Sequence, residues 1–358
     1  MTAPAPVHSA AQQAAAAFVS IVVPCRNERG FITACLDSIL STSWRHEQLE
    51  VLVVDGMSDD GTRELLAQFA AARPIVRVLD NPQRITPVAL NIGIRAARGD
   101  VIVRMDAHNF YPDDYVPRLV HALFESGADN VGGLWITKPG NASSAAQAIA
   151  LALQHPFGVG NAHYRIGADT PRWVDTVPFG CYRREVFDRI GLFDEELVRN
   201  QDDEFNLRLI RSGGRILLVP EVTSEYHARE SYDKLWRMYY QYGLFKPLVI
   251  RKIGAVLTLR QLVPACFVLA VAAGVVGAIW SRLATVLLCV LLGTYALAGG
   301  AAAMRAGRGH GWPVISRLLM VFPIIHVAYG VGFLRGFLES IVLARFSRSK
   351  PGAVSLTR

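Results

Sequence analysis

Two long uncharged apolar stretches near the C-terminus constrain this chain more than any other feature. They span Leu262–Trp280 and Leu283–Met304, and only Ser281 and Arg282 separate them. A helix over either stretch is long enough to cross about 30 Å of hydrocarbon. We therefore predict two membrane-spanning helices, at 262–280 and 283–304, joined by a tight turn.

A third apolar segment, near 314–338, is less regular. It contains Pro323 and His326 and is bracketed by Arg317 and Arg335. A cation at the centre of a membrane helix costs about 2.5 to 3.5 kcal/mol. We therefore expect these two arginines to mark the ends of the segment.

The membrane domain is predicted over 261–340, and a basic tail follows it at 341–358. Cytoplasmic segments of membrane proteins are enriched in Lys and Arg. Three full crossings from a cytoplasmic start would carry the basic tail outside, against this tendency. Either the tendency fails here or the third segment does not cross, and the sequence leaves both alternatives open.

The positive charge of the chain lies mainly in this C-terminal part. From Ile250 onward there are 12 lysines and arginines and one acid, Glu339, although the net charge of all 358 residues is only +7. The first 249 residues therefore carry a net negative charge. Because the cations lie among apolar stretches, we expect them to orient membrane segments, and we expect no nucleic-acid partner.

Neither the N-terminus nor the cysteines indicate export. Residues 1–17 are rich in Ala and lack the basic start of a signal peptide, so they predict a disordered tail. The five cysteines include no C-x-x-C pair, which fits a reducing compartment and neither a disulfide framework nor a zinc site. We expect a multi-pass protein of a bacterial inner (cytoplasmic) membrane, with its globular part in the cytoplasm.

Upstream of the membrane part, strand-like and helix-like segments alternate. Four β-branched, nearly continuous apolar runs are typical of parallel strands covered on both faces: Phe18–Pro24, Leu49–Asp55, Ile75–Asp80 and Asp100–Asp106. Helix signals lie between them, such as Thr86 and Pro87 at the start of one segment. This order predicts a doubly wound, mostly parallel, Rossmann-like α/β sheet whose ligand crevice lies at the carboxyl ends of the strands.

The α/β domain is predicted over 18–228, and a segment at 229–260 connects it to the membrane domain. This segment combines Lys and Arg with five aromatic residues, Trp236, Tyr239, Tyr240, Tyr242 and Phe245. Aromatic rings together with cations are typical of a helix that lies in the lipid headgroup region. We predict an interfacial amphipathic segment, with a buried amphipathic helix as the alternative.

Acidic residues follow two of the predicted strands. Asp55 ends the second strand, and Asp60 lies in the turn after it. A carboxylate there can accept a hydrogen bond from a ligand N–H, although a simple turn is the more common explanation. Asp106 and His108 follow the fourth strand in the sequence RMDAHNF. A hard divalent cation suits Asp106, and the nitrogen of His108 suits Mn²⁺ better than Mg²⁺.

A third acidic cluster, Asp202–Glu204, begins a predicted helix. Acidic residues at a helix start are stabilised by the helix dipole, so the cluster is consistent with a solvated cap. It is equally consistent with a general base, which must reach the hydroxyl of an acceptor. The cluster by itself leaves these two alternatives open.

Taken together, these segments resemble a known enzyme family. VSIVVPCRNE, VLVVDGMSDDGT, MDAH and NQDDEFNLRLIRSGG, in this order, are similar to the inverting glycosyltransferases of family 2, which have a GT-A fold. The resemblance extends over Phe18–His227. With PFGCYRREVF, YYQYGLFK and the short membrane part, the chain most resembles the succinoglycan-type exopolysaccharide glycosyltransferases.

The resemblance implies residues that bind a nucleotide sugar. These are Pro24, Arg26, Glu28, Asp55, Asp60, Arg84 and Asp106. The first three match the end of a nucleotide-contacting strand, and Asp55 and Asp60 match a nucleoside-binding turn. Many family members have a second acid where Gly56 stands, so which carboxylate meets the nucleobase stays open.

The resemblance also implies a divalent metal, Mn²⁺ or Mg²⁺, and a catalytic base. Asp106 and His108 match the two acids of the family's D-x-D motif, and His227 matches a further metal or phosphate ligand of some GT-A enzymes. Asp202 matches the base. The remaining candidates are Gln201, which replaces an acid, Asp203, and Arg208, which matches a basic residue later on the helix.

The function implied is that of a membrane-bound, metal-dependent hexosyltransferase. It would transfer one sugar, such as glucose, from a UDP-sugar to a polyprenyl-diphosphate-linked saccharide in surface or exopolysaccharide biosynthesis. No Q-x-x-R-W motif follows the base helix, which argues against a processive synthase. One alternative is a polyprenyl-phosphate sugar synthase, whose acceptor phosphate Arg237, Lys246, Arg251 and Lys252 could bind. A second alternative is an inactive GT-A scaffold of a polysaccharide assembly complex. The sequence leaves the oligomeric state open.

Overall fold

The chain folds into two compact units. The structure, a computed structural model, describes residues 9–255 and 259–342. The first unit comprises the described residues up to Ile136 together with Gly167–Glu225. The second comprises Thr137–Ile166 and the described residues from Tyr226 onward. The first unit contains nearly all of the sheet, and the second contains the apolar helices.

The strands are β1 Val19–Cys25, β2 Leu49–Asp55, β3 Val76–Asp80, β4 Val101–Arg104, β5 Asn130–Lys138, β6 Arg172–Val174, β7 Cys181–Arg183 and β8 Ile216–His227. The helices are α1 Ala10–Ala16, α2 Ile32–Leu40, α3 Thr62–Ala72, α4 Thr86–Ala96, α5 Tyr115–Ser126, α6 Ser144–Ala152, α7 Pro156–Val159, α8 His163–Ile166, α9 Arg184–Ile190, α10 Gln201–Arg211, α11 Tyr232–Ile253, α12 Val263–Gly277, α13 Arg282–Ala306 and α14 Trp312–Phe337. Short 3₁₀ helices lie at His46–Gln48 and Leu259–Gln261, and a π-helical turn lies at Leu338–Val342.

The strands form one sheet in the order β3-β2-β1-β4-β7-β5-β8-β6. β1 pairs in parallel with β2 and β4, and β2 pairs in parallel with β3. β7 is antiparallel to both β4 and β5. The predicted mostly parallel α/β fold is confirmed. In the parallel half, Cys25 pairs with Asp55 and Asp55 pairs with Asp80, so three strand ends align at one edge.

Burial explains why the parallel strands read as continuous apolar runs. All seven residues of β2 are buried, because helices cover both faces of this part of the sheet. The core on one face combines β1 and β2 with α2 and α5, including Ile21, Val53, Leu36 and Leu119.

The N-terminal segment differs from the predicted disordered tail at 1–17. Residues 1–8 of that tail lie outside the described residues, but Ala10–Ala16 forms a helix. Ser9 and Gln12 make a reciprocal capping box at its start. Ala14 and Ala17 are buried in the same apolar core as α5. Capping and burial of small side chains therefore order a segment whose composition indicates disorder.

Helix α11 lies within the predicted interfacial segment at 229–260 and packs closely on α14. A Cβ added at Gly332 would lie 2.2 Å from the carbonyl oxygen of Tyr240, and one at Gly336 would lie 2.1 Å from that of Leu244. Among the five aromatic residues that suggested a headgroup location, Tyr239 and Phe245 are buried and only Trp236 is exposed. One face of α11 is therefore covered by protein, as the alternative of a buried amphipathic helix requires, and its location in the headgroup region stays a prediction.

The apolar helices also differ in length from the predicted spans. α13 and α14 are long and apolar enough to cross a membrane, whereas α12 has only 15 residues, about 22 Å. The least regular predicted segment, near 314–338, thus forms a 26-residue helix despite Pro323, while 262–280 forms a short one. Of the predicted basic tail at 341–358, residues 343–358 lie outside the described residues.

Candidate active site

The loops after β1 and β2 are tied together by backbone-to-side-chain hydrogen bonds. The amide of Asn27 donates to Ser58 Oγ at 2.8 Å, and the amide of Glu28 donates to Thr62 Oγ1 at 2.8 Å. The amide of Arg29 donates to Asp60 Oδ2 at 3.2 Å. The loop after β1 and the loop after β2, both predicted to bind the nucleotide, therefore form one polar surface at the aligned strand ends.

Asp55 is held in place below this surface. Its side chain is fully buried, and it accepts hydrogen bonds from Ser58 Oγ at 2.5 Å and from Arg63 Nη1 at 2.7 Å. Arg63 also donates to Asp80 Oδ1 at 2.9 Å, so one guanidinium joins the ends of β2 and β3. The observed role of Asp55 is to order this turn, and its contact with a nucleoside stays a prediction.

Left-handed backbone conformations concentrate around the same strand ends. Among the described residues, the non-glycine residues with positive φ are Asn27, Met57, Arg84, Phe179 and Asn200. The first three follow β1, β2 and β3, Phe179 precedes β7, and Asn200 precedes α10. Such conformations are costly for L-residues and are common at functional sites. Their concentration independently marks this edge of the sheet as the candidate site.

Arg104 connects the two most important predicted carboxylates. It ends β4, and its side chain is 10% exposed. Its Nη2 donates to Asp106 Oδ1 at 3.2 Å, and its Nη1 donates to Asp202 Oδ1. Asp202 lies in the first turn of α10. The predicted metal carboxylate and the predicted base are therefore held by the two arms of one guanidinium.

The electrostatics around Asp202 favour a proton acceptor. Burial raises the pKa of the Asp202 carboxyl above its ordinary value, and the charges of Asp106 and Asp203 act in the same direction. Arg104 opposes this shift, because its cation stabilises the carboxylate. The side chain is 35% exposed, so a hydroxyl group can approach it. A carboxylate with a raised pKa and an open face is suited to general-base chemistry.

His108 lies beside Glu28. The distance from His108 Nδ1 to Glu28 Oε1 is 3.3 Å, and the imidazole is 51% exposed. Within 9–255 and 259–342, no three His, Cys, Asp or Glu side chains are grouped closely enough to hold a metal ion by themselves. Metals that act on nucleotides use one or two carboxylates plus the phosphates. Asp106 and His108 would therefore hold a divalent cation only together with the phosphates of a nucleotide, and their contact with a metal stays a prediction.

The other predicted site residues in the first unit differ in burial and in their contacts. Arg26 Nη1 donates to the carbonyl of Arg84 at 3.4 Å, which brings two predicted nucleotide ligands together. Pro24 is half-buried within β1, Gln201 is buried, and Asp203 is partly exposed. Their contacts with a substrate stay predictions.

Two other candidates are not part of this cluster. Arg208 pairs with Glu204 at 2.8 Å and donates to the backbone carbonyls of Ile190 and Leu192, so its observed role is to fix α10. His227 ends β8 and belongs to the second unit. Of the three predicted metal ligands, the first unit therefore contains Asp106 and His108.

Sequence reasoning did not identify the two arginines that organise this site. Arg63 and Arg104 each hold two carboxylates, yet neither was a candidate residue. A signal was present for Arg104, since a cation that ends a buried strand needs an acidic partner. No comparable signal existed for Arg63, because basic residues on a surface helix are common.

Known proteins are similar to this chain in sequence and in fold. Residues 20–191 match the family described as Glycosyl transferase family 2. The succinoglycan biosynthesis protein ExoA of Rhizobium meliloti is 32% identical over 323 residues, which cover 89% of this chain and 94% of that protein. A dolichyl N-acetyl-alpha-D-glucosaminyl phosphate 3-beta-D-2,3-diacetamido-2,3-dideoxy-beta-D-glucuronosyltransferase of Methanococcus voltae is 29% identical, covering 66% of this chain and 74% of that one.

The likeness to solved structures concerns the fold. A mannosyltransferase of Pyrobaculum calidifontis, solved in complex with GDP-Man and Mn²⁺, superposes with a TM-score of 0.54 at 20% identity and covers 91% of this chain and 89% of that one. The overall fold is thus of the GT-A type. On the sequence match across nearly its whole length, this chain belongs to glycosyl transferase family 2.

Proposed function

We propose that this chain transfers one sugar, with glucose as the first candidate, from a UDP-sugar to a polyprenyl-diphosphate-linked saccharide during surface or exopolysaccharide biosynthesis. The observation that carries the proposal is the Arg104 bridge between Asp106 and Asp202. It joins a carboxylate suited to the nucleotide end of the reaction to one suited to the acceptor end. The names of the two relatives support the substrate class, because one refers to succinoglycan biosynthesis and the other to a dolichyl-linked sugar phosphate.

Asp202 acts as the general base in this proposal. Its carboxylate removes the proton from an acceptor hydroxyl while the hydroxyl oxygen forms a bond to the anomeric carbon of the donor. The bond from that carbon to the diphosphate breaks, and the nucleoside diphosphate leaves with the electron pair. Attack opposite the leaving group inverts the anomeric configuration.

The metal side of the site is assigned to Asp106 and His108. Both follow β4, and their oxygen and nitrogen donors suit Mn²⁺. A bound divalent cation stabilises the charge of the departing diphosphate. Glu28 lies within 3.3 Å of His108 and orients the imidazole.

A lipid-phosphate acceptor is the closest enzymatic alternative, and it requires an open basic pocket. Three of the four side chains considered for that pocket are engaged or buried within the second unit, and the fourth, Lys252, is exposed. Arg237 pairs with Asp233 at 3.1 Å, Arg251 donates to the carbonyl of Ser340, and Lys246 is buried. We therefore favour the lipid-linked saccharide as the acceptor.

Isothermal titration with UDP, with and without Mn²⁺, tests the proposal and separates an enzyme from a scaffold. We expect binding that depends on Mn²⁺ and that Asp106→Ala weakens. Asp114→Ala, which removes an exposed carboxylate before α5, is the matched control and should bind UDP as the wild type does. If the affinity for UDP is the same with and without Mn²⁺, and the same in wild type and Asp106→Ala, the inactive scaffold is favoured. A parallel titration with GDP tests the choice of nucleotide.

A further inference from the structure

In the second unit, α12 and α13 form a helical hairpin. Its side chains are more exposed than those of the other helices of this unit. In α12, among the side chains described, only Ala265 is buried, and it lies near the start of the helix. In α13 the buried residues are Gly299, Ala302 and Ala303, all near its end. Tyr295 of α13 is partly buried, and its Oη lies 2.7 Å from His326 Nδ1 of α14. Most other residues of both helices are apolar and exposed or partly exposed, with Leu283 and Leu297 among the most exposed side chains. Side chains of this kind require an apolar environment.

α12 and α13 pack against each other as a tight antiparallel pair. A Cβ added at Gly274 would lie 3.0 Å from the Leu288 side chain, and one at Gly277 would lie 3.0 Å from Ala284. Small residues that bring two helices close together are typical of packing within lipid. The turn of the hairpin carries Trp280, which is 77% exposed. Tryptophan is enriched at the boundary between lipid and water.

One face of α14 is covered by other helices of the same unit, whereas Leu319 and Met320 on α14 are exposed. Leu318, Val321, Phe322 and Ile325 of α14 are buried in one cluster with α6 and α11. We call α6, α11 and α14 the helical base. Near its C-terminal end α14 also carries Arg335, which pairs with Glu339 at 2.6 Å and donates to Tyr240 Oη at 2.8 Å. A helix with one protein-covered face and an ion pair is suited to the membrane interface.

Both ends of the hairpin are anchored in this base. A Cβ added at Gly330 of α14 would lie 2.5 Å from the carbonyl oxygen of Pro264, at the start of α12. Ala302 and Ala303, at the end of α13, belong to the cluster that α14 forms with α6 and α11. The turn at Ser281 is therefore the part of the hairpin farthest along the chain from both anchors.

Most basic residues of this region lie near the anchored ends of the hairpin, away from its turn. At the turn there is one cation, Arg282, whereas the flanks of the hairpin and the base carry Arg251, Lys252, Arg260, Arg305, Arg308 and Arg317. Between Arg282 and Arg305, α13 has 22 uncharged residues, about 33 Å of helix. This length matches about 30 Å of hydrocarbon. The 15 residues of α12 reach across that thickness only together with Leu262 and 278–280, which extend its uncharged run to 19 residues, about 28 Å if helical throughout. By the positive-inside tendency, the base faces the cytoplasm and the turn faces the opposite side.

We propose that α12 and α13 alone cross the bilayer, as one hairpin, and that α14 remains with the helical base on the cytoplasmic side. The lipid bilayer is then the partner of the exposed apolar surface. This arrangement keeps Arg345, Arg348 and Lys350 of the basic tail in the cytoplasm and removes the conflict that three crossings create. The inference does not depend on which sugar or acceptor the protein uses.

Cysteine labelling of the full-length protein in bacterial spheroplasts tests the topology. The background is Cys266→Ala with Cys289→Ala, since the cysteines of the first unit are buried. Single cysteines are then introduced as Ser281→Cys at the turn, His310→Cys between α13 and α14, or Ser347→Cys in the tail. A membrane-impermeant maleimide is applied before and after permeabilisation, with the background protein as the control.

We expect Ser281→Cys to be labelled in intact spheroplasts, and His310→Cys and Ser347→Cys to be labelled only after permeabilisation. Three crossings would instead expose the tail variant, and a pair of crossings by α13 and α14 would expose the His310 variant. Either pattern overturns the proposal, as does a turn cysteine that reacts from neither side. Because labelling requires no sugar transfer, its failure leaves the proposed reaction untouched.

Discussion

At the scale of single residues, the two carboxylates held by Arg104 should have separable roles. Asp202→Asn keeps the shape of the side chain but removes the proton acceptor, so we expect transfer to fall by about 10² to 10⁴ while UDP binding is retained. Asp203→Asn removes the neighbouring carboxylate and is the matched control, which should keep most of the activity. Initial rates and titration calorimetry measure both quantities, and the reverse pattern would assign the base to Asp203.

Arg104 itself is expected to set the pH dependence of turnover. Arg104→Gln removes the cation that lowers the pKa of Asp202, while burial and the charges of Asp106 and Asp203 still raise it. Asp202 should then stay protonated to a higher pH, and the acidic limb of the kcat/KM profile should move upward. The limb moves in this direction because the active form is the carboxylate.

Arg184→Gln is the matched control for that experiment. Arg184 donates to the carbonyls of Ala97 and Gly99, so its loss should reduce stability without moving the pH profile. Equal acidic limbs in wild type and Arg104→Gln would show that Arg104 does not act on the base.

At the scale of secondary-structure elements, the buried carboxylate of Glu50 connects β2 to β1 and to the loop that follows α4. The Glu50 side chain is 1% exposed and accepts hydrogen bonds from Ser20 Oγ at 2.6 Å and from the amide of Arg98 at 2.6 Å. Burial alone would raise the pKa of Glu50, but the hydrogen bonds from Ser20 and Arg98 together lower it. We expect Glu50→Gln to reduce the free energy of unfolding by about 1 to 3 kcal/mol at neutral pH.

The lowered pKa of Glu50 also fixes the pH range of this effect. The contribution is fully present above the pKa of the unfolded state and is lost as the pH falls through the lower, folded-state pKa. The melting temperatures of wild type and Glu50→Gln should therefore converge in acid. Glu47→Gln, at an exposed position, is the control. A constant difference at all pH values would exclude an ionic origin.

Because α11 packs closely on α14, we expect replacing a glycine by alanine to lower stability at Gly336 and not to lower it at Gly300. Gly336→Ala would place a Cβ 2.1 Å from the carbonyl of Leu244, whereas Gly300→Ala on α13 meets nothing within 4 Å. Alanine favours a helix over glycine by about 1 kcal/mol, but overpacking costs about 1 to 3 kcal/mol. Thermal unfolding in detergent should therefore show a lower midpoint for Gly336→Ala and an equal or higher one for Gly300→Ala. Equal effects would mean that the close helix contact is absent.

At the scale of the whole molecule, periodicity and strand ends predicted the α/β fold well. The four parallel strands were recognisable because burial on both faces leaves continuous apolar runs. Non-local contacts were not recognisable. The ordered start at Ala10 depends on burial of Ala14, and the buried state of α11 depends on glycines of α14 that lie about 90 residues away in sequence. The Arg104 bridge likewise joins residues 98 positions apart.

The central claim is that this chain adds a single sugar from a nucleotide donor to a lipid-linked saccharide. Its most direct test offers the purified protein a panel of UDP- and GDP-sugars with polyprenyl-diphosphate-linked saccharides and with polyprenyl phosphate, and reads the products by mass spectrometry. We predict that one UDP-sugar increases the mass of a lipid-linked saccharide by one sugar residue, and that Asp202→Asn forms this product about 10² to 10⁴ times more slowly. A ladder of repeated additions, a product formed only on polyprenyl phosphate, or no product from any donor would contradict the account.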